Sequence, residues 1–498
     1  FYVMSYGGPA VGTLNDLPHI GAIGGNERNE LNLRIFGDLE AVIARRRRIF
    51  DQYNIGSLAE FRRRRSQGDE PGLEDGYPTD LFLVVDGWDN FLDDNTTLLN
   101  PKNPHLKSVE RLATAGRGLH VLISAASWLK FGNEVQNHIN TRFELKLSQV
   151  SDSQIKPQKT DEMIRPQDRI PKHDLGRGIN GVGDVIRFAV GRLDGQPSMD
   201  NLDEKVRETV ATVAQHYAGH PAVPCPQLLP ALVGASDLGQ ERLDGERFAL
   251  GLRGRDLQPL VHDFARNPLL GVYGDDEKGK TTFLTQLLRS VVARRSGPEQ
   301  AIVCVFDRGL GLSAETARLI EGEDYYETDF ASMAQRLEQM AHVLDGRTPP
   351  KDLPWEEKRA WKLQGALIYL FVDDLDAIPA QQQIYDHVPA GGVPASGSGR
   401  MVQTWQPMLR HFASATEVGL RVIMTHRAQG AAAAEMAPNS VPGQLANQNA
   451  VRIMLGSTAV NDKVGGMKFQ DLDPGRGYVL ASGGQNEGYA QLAMPDRM

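Results

Sequence analysis

The segment GVYGDDEKGKTTFLTQLL, residues 271–288, constrains the fold more than any other part of the chain. Gly274-Asp275-Asp276-Glu277-Lys278-Gly279-Lys280-Thr281 matches GxxxxGK[ST] in full. The apolar stretch LLGVYG precedes it, and Phe283, Leu284, Leu287 and Leu288 follow at helical spacing. A strand feeding a Gly-rich loop and then a helix is a phosphate cradle. The glycines permit a tight curl that turns backbone N–H groups inward. The helix points its positive end at the same place. On this reading ATP and Mg²⁺ are the cofactors, and Gly274 through Thr282 line the nucleotide. Lys280 brings a charge to the β- and γ-phosphates, and the Thr281 hydroxyl holds the metal. Asp275, Asp276 and Glu277 put three acids inside a loop that must hold an anion, with Lys278 offsetting them.

Further along, LIYLFVDDLD (367–376) reads as a buried strand ending in acids. Asp373 is expected in the Mg²⁺ shell and Asp374 as the group that orients the attacking water. Thr425 ends the next apolar strand. Its hydroxyl either senses the γ-phosphate or is an ordinary satisfied strand terminus. Arg117, Arg410 and Arg427 are candidates for an arginine finger.

The same landmarks occur twice, in one order. FYVMSYGGPAVG (1–12) is patterned like AIVCVFDRGLGL (301–312), and LFLVVDGWDNF (81–91) like LIYLFVDDLDAI (367–378). A helix and a strand ending in a hydroxyl follow in each, at Ser124 and Thr425, and a GRG triplet lies near each end. Apolar strands alternating with helical stretches imply parallel sheets covered on both faces. The expected fold is therefore α/β: two tandem P-loop NTPase (RecA-like) domains with largely parallel central sheets, the first lacking its P-loop in this chain. The expected boundaries are 1–200 and 236–498, joined by a helical and Pro-rich linker over 201–235. Asp86 aligns with Asp373 and Gly87 with Asp374. A first-domain loop, projected back, would fall before residue 1. Such a domain could bind nucleotide but would lack the acid that positions water.

Bulk composition narrows the function. The net charge is −9, whereas a protein that coats DNA phosphates is usually basic. Two cysteines, Cys225 and Cys304, make neither a disulfide framework nor a zinc site. No apolar run is long enough to span a bilayer, and no export leader is legible. Two arginine runs, Arg45–Arg48 and Arg62–Arg65, flank IFDQYNIGSLAEF. They read as a solvated, salt-bridged or docking surface rather than a nucleic-acid patch, since no base-stacking platform accompanies them.

These residues resemble a known family. The VVDGWD and FVDDLD strands, the GLHVLISA and GLRVIMTH strands and the paired GRG endings are similar to the FtsK/SpoIIIE branch of P-loop ATPases. More narrowly, LNDLPHIGAI, ERNELNLRI, RRRRIFDQYNIGSLAEFRRRR and VYGDDEKGKTTFL resemble the second and third ATPase domains of EccC, the type VII secretion motor of mycobacteria and relatives. The resemblance implies domains on the cytoplasmic side of a membrane complex, peripheral to the inner face of the cell membrane. It implies recognition of the C-terminal signal of small helical WXG-type heterodimers. It also implies association with a membrane-anchored first ATPase, as a separate subunit or the N-terminal part of the same chain, and a hexameric ring. Related motors often carry Glu where Asp374 stands. The shorter reach implies slow hydrolysis, because an ångström of misplacement costs on the order of a hundredfold. A DNA translocase and a non-hydrolysing, nucleotide-stabilised scaffold are the alternatives.

Overall fold

The computed structural model describes residues 1–496 except 27, 69–72, 74, 95–102, 104, 157–164, 197, 313, 321, 349–351, 362, 364, 386–398, 460 and 482–485. It divides into two compact units, Phe1–Leu228 and Leu229–Met498. The helix Leu202–His216, read from sequence as linker, counts with the first unit. Just past it, Tyr217 packs edge-on against His19 at 4.6 Å.

In the first unit β1 (Tyr2–Ser5), β2 (Ala22–Gly25), β3 (Leu81–Asp86) and β4 (Leu119–Ile123) make a parallel sheet in the order β2-β1-β3-β4. The helix Asn29–Gln52 covers it through Ile35, Phe36, Leu39, Val42 and Ile43, all buried at the helical spacing the sequence predicts. A separate antiparallel sheet contains β5 (Phe143–Leu145), β6 (Arg177–Asn180) and β7 (Val185–Arg187).

The second unit is built on β8 (Arg247–Arg253), β9 (Pro259–Asp263), β10 (Leu269–Tyr273), β11 (Ala301–Asp307), β12 (Tyr325–Glu327) and β13 (Leu367–Asp373). A hairpin, β14 (Gln381–Tyr385) with β15 (Gly399–Gln403), follows, then β16 (Leu420–His426) and β17 (Val451–Leu455). A second small hairpin, β18 (Lys463–Val464) with β19 (Met467–Lys468), precedes β20 (Arg476–Leu480) and β21 (Asn486–Leu492). Ten of these strands form one sheet, β12-β11-β13-β16-β10-β17-β20-β21-β8-β9. It is parallel from β12 to β17 and antiparallel beyond. β10 and β16 are buried at every position, and β13 at all but its first, as expected of strands covered on both faces. β16 lies between β10 and β13, so the Gly-rich loop and the acid-bearing strand end are one strand apart at the same sheet edge.

Registers equate the units strand by strand: β2-β1-β3-β4 with β12-β11-β13-β16, and β5-β6-β7 with β17-β20-β21. In the second unit β10 joins these halves, pairing with both β16 and β17. Among the described residues of the first unit nothing takes its place. The side chains at the corresponding positions register the difference. Leu122, Phe143 and Leu145 are 47%, 51% and 51% exposed, whereas Ile423, Ile453 and Leu455 are 0%, 0% and 1%.

The arginine runs are largely engaged within the first unit. Arg46 is completely buried and donates to Asp75 Oδ2 (2.6 Å) and to the carbonyls of Pro78, Thr79 and Arg117. Arg65 reaches Asp75 (3.4 Å) and the Tyr77 carbonyl, Arg62 pairs with Asp80 (2.6 Å), and Arg64 with Glu60 (2.7 Å). Phe61, fully buried, has the guanidinium groups of Arg46 and Arg65 over its ring. Arg46→Ala would leave Asp75 buried without its main counter-charge. We expect a loss of about 3–5 kcal/mol, read as a shifted denaturation midpoint.

Candidate functional site

The loop after β10 curls through two residues with positive φ, Glu277 at 63° and Gly279 at 100°, and the helix Lys280–Arg294 starts at once. Phe283, Leu284, Leu287, Leu288 and Val291 anchor that helix in the core. The Lys280 side chain is buried and turned back across the loop, donating to the Asp275 carbonyl at 3.1 Å. Its ammonium is also 3.5 Å from Asp276 Oδ1 and 3.7 Å from Asp374 Oδ1.

The three loop acids have different fates. Asp275 accepts hydrogen bonds from Ser457 Oγ (2.8 Å), Thr458 N–H (2.9 Å) and Thr458 Oγ1 (3.3 Å), which tie the loop to the segment after β17. Partial desolvation pushes its carboxyl up. These hydrogen bonds, with the nearby Lys280 charge, outweigh that and hold it below the usual carboxylate range. Asp276 and Glu277 are exposed. Lys278 donates to Asp471 Oδ1 and the Leu472 carbonyl, both at 2.8 Å, and its own carbonyl accepts from Gly475 N–H at 2.9 Å. The side chains of Asp275 and Lys278 therefore brace the loop. The second GRG triplet is part of that brace, a role that sequence repetition marked without explaining.

Asp373, Asp374, Thr281 and Thr425 come together as their order along the chain suggested. Asp373 is 3% exposed. Its Oδ2 accepts from Thr281 Oγ1 and its Oδ1 from Thr425 Oγ1, each at 2.8 Å. Burial raises its pKa, and these two hydroxyls act against the rise. Thr425 Oγ1 in turn accepts from Asp374 N–H at 2.7 Å. Asp374 takes a left-handed φ of 47°, which directs its carboxylate toward Lys280. Its Oδ1 is buried and has no hydrogen-bond partner among the described residues, an acceptor suited to a water or a hydrated ion. Thr281 and Asp373 supply the hard oxygen donors that Mg²⁺ prefers, and Mg²⁺ characteristically completes its shell with water and phosphate. The residues present fit a Mg²⁺–nucleotide site.

The first unit repeats half of this arrangement. Ser124 Oγ donates to Asp86 Oδ1 at 2.6 Å and accepts from Gly87 N–H at 2.9 Å, as Thr425 does with Asp373 and Asp374. Gly87 has the corresponding left-handed φ, 81°. A Cβ there would stand 2.6 Å from the Gly7 nitrogen and 2.7 Å from the Tyr6 carbonyl carbon, so only glycine fits.

Of the finger candidates, Arg410 is paired with Asp345 (2.5 Å), and Arg117 packs over Phe50 in the first unit. Arg427 lies beside the loop, 3.4 Å from Asp376 and 3.9 Å from Asp276. With Asp275, Asp276, Gln429, Thr458 and Asp462 it lines an open polar cavity of about 630 Å³. Sequence reasoning missed Asp307, a fully buried carboxylate level with Asp373 across β11 and β13. The signal was available: VCVFD is another apolar run ending in an acid. Thr425→Val would leave both Asp373 and the Asp374 amide short of a partner. We expect about 1–3 kcal/mol of destabilisation by denaturant titration, with Thr425→Ser close to the original.

A model described as the FtsK/SpoIIIE family matches residues 1–177. The ESX-3 secretion system protein EccC3 of Mycobacterium tuberculosis is 30% identical over 498 residues, covering 99% of this chain and 34% of the relative. The ESX-1 secretion system protein EccCb1 of the same species is 28% identical over 438 residues, covering 85% of this chain and 68% of that protein. The chain thus spans about a third of the length of some relatives and two thirds of others. Among solved structures, Thermomonospora curvata EccC (ATPases 2 and 3) in complex with a signal sequence peptide superposes with a TM-score of 0.81 at 25% identity, covering 100% of this chain and 82% of that one. In sequence, in fold and in the tandem arrangement of its landmarks, the chain belongs to the EccC-type branch of the FtsK/SpoIIIE family of P-loop ATPases.

Proposed function

We propose that this chain is a nucleotide-binding motor segment of a type VII protein secretion system, holding Mg²⁺–ATP in its second unit and hydrolysing it slowly. The observation that carries the reading is the convergence of Lys280, Thr281, Asp373, Asp374 and Thr425 at one sheet edge. Lys280 supplies the charge for the β- and γ-phosphates, and Thr281 with Asp373 would hold Mg²⁺. The metal, when bound, supplies charge neutralisation at the phosphates. Asp374 orients water through the carboxylate oxygen that faces Lys280 and has no hydrogen-bond partner among the described residues. The first unit, with Gly87 in that position, has no such acid. No described helix is long and apolar enough to cross a membrane.

The Thermomonospora curvata structure holds a signal sequence peptide. By similarity we assign this chain the C-terminal signal of a small helical WXG-type heterodimer. DNA translocation is the weaker reading, because the net charge is −9 and the arginines of both runs are largely paired within the first unit.

Calorimetry should give Mg²⁺–ATP binding that Lys280→Ala abolishes, and turnover of the isolated chain should stay below about 10 s⁻¹. Faster turnover contradicts the slow-hydrolysis reading. Nucleotide that stabilises the fold, with turnover already negligible, favours the scaffold. Capture of a WXG-type heterodimer should be lost when its last residues are deleted. Capture that survives the deletion contradicts signal recognition, and sub-micromolar, salt-sensitive binding of duplex DNA revives the translocase.

A further inference from the structure

Strand β11 ends on Asp307, whose carboxylate is fully buried and level with Asp373 in the parallel pairing. A carboxylate so placed is stable only if hydrogen bonds replace its water. Among the described residues Asp307 has three: from Gly311 N–H (2.8 Å), Leu312 N–H (2.9 Å) and the Tyr326 hydroxyl (2.6 Å). These bonds commit both of its oxygens to holding the loop that follows.

That loop is held in an unfavourable shape. Leu310 sits at φ 53° with its side chain 68% exposed, a backbone region and an environment that leucine ordinarily avoids. The same turn lays Gly311 against the metal-binding pair. A Cβ at 311 would stand 2.9 Å from Asp373 Oδ2 and 3.3 Å from Thr281 Cγ2. Asp373 Oδ2 is the oxygen that accepts from Thr281. The loop therefore walls the side of the pair that β16 and Thr425 leave open. In the first unit the residue level with Asp86 is Ser5, whose hydroxyl donates to the Gly8 carbonyl instead.

We propose that Asp307 is a positioning residue for the metal site: through the loop it ties, it sets Gly311 against Asp373 and Thr281, and so determines how strongly nucleotide binding depends on Mg²⁺. The proposal rests on the reading of the second unit as a Mg²⁺–nucleotide site. It assigns Asp307 no contact with nucleotide or metal.

The test is the affinity of the full chain for a fluorescent ATP analogue, measured in Mg²⁺ and in excess EDTA. The unaltered chain should bind more tightly in Mg²⁺. Gly311→Ala and Asp307→Asn should each weaken binding in Mg²⁺ by about 10-fold or more while leaving the EDTA affinity within about twofold. Tyr326→Phe, which removes one of the three bonds, should give a smaller loss of the same kind. If Asp307→Asn does not fold, Gly311→Ala decides, since it removes no hydrogen bond and its φ lies outside the left-handed region. A folded Gly311→Ala chain with an unchanged Mg²⁺ effect, or equal losses in both conditions, overturns the proposal. No binding by the unaltered chain in either condition overturns the nucleotide-site reading itself, and this one with it.

Discussion

A hydroxyl at the end of one strand bonded to a carboxylate at the end of its neighbour is the contact on which both units depend. Thr425 does this for Asp373, and Ser124 for Asp86. The hydroxyl is donor and acceptor at once. It satisfies the buried acid and also takes the N–H of the next residue, fixing that residue in a left-handed conformation. The direction of the following side chain is thereby set before any ligand arrives. In the second unit that side chain is Asp374, aimed at Lys280. In the first it is glycine, and the backbone of Tyr6 and Gly7 occupies the space a side chain would need. The difference between the units is therefore built into the packing around residue 87 as well as into its identity.

The second organising constraint is where charge is spent. The Gly-rich loop carries three acids, and phosphate binding there would require that they not meet the anion. Asp275 is tied to the segment after β17, and Asp276 and Glu277 face solvent. Lys278 is drawn away to Asp471 and Leu472, leaving Lys280 as the buried cation of the loop. The arginine runs follow the same logic. Eight arginines in two runs look like a polyanion-binding surface when written as a string. Folded, Arg46 closes a buried cluster of carbonyls around Asp75, and most of its neighbours find partners within the unit.

The ten-stranded sheet of the second unit also gives meaning to the smaller sheets of the first. One strand, β10, both carries the Gly-rich loop and joins a parallel half to an antiparallel half. Where a counterpart of β10 is not among the described residues, the halves are separate sheets. Leu122, Phe143 and Leu145 then lie open, whereas the equivalent residues of the second unit are sealed in the core. A single strand thus accounts for the placing of the Gly-rich loop, sheet continuity and core closure together.

The sequence by itself determined the α/β class, the doubling, the loop and the acids that end β3 and β13. Each is written in local terms: an apolar run of strand length, a motif with fixed spacing, a helical period. The register equivalence of Asp86 with Asp373 and of Gly87 with Asp374 was likewise legible, because both repeats preserve the order of their landmarks. Only the tertiary structure decided which polar groups meet. Asp275 and Lys278 became braces, the GRG turn became their counterpart, and Asp307 became the anchor of a loop lying against Asp373 and Thr281. Those assignments depend on strands far apart in the chain ending at one sheet edge, where burial forces every polar atom to find a partner. Spacing along a sequence carries no record of that neighbourhood.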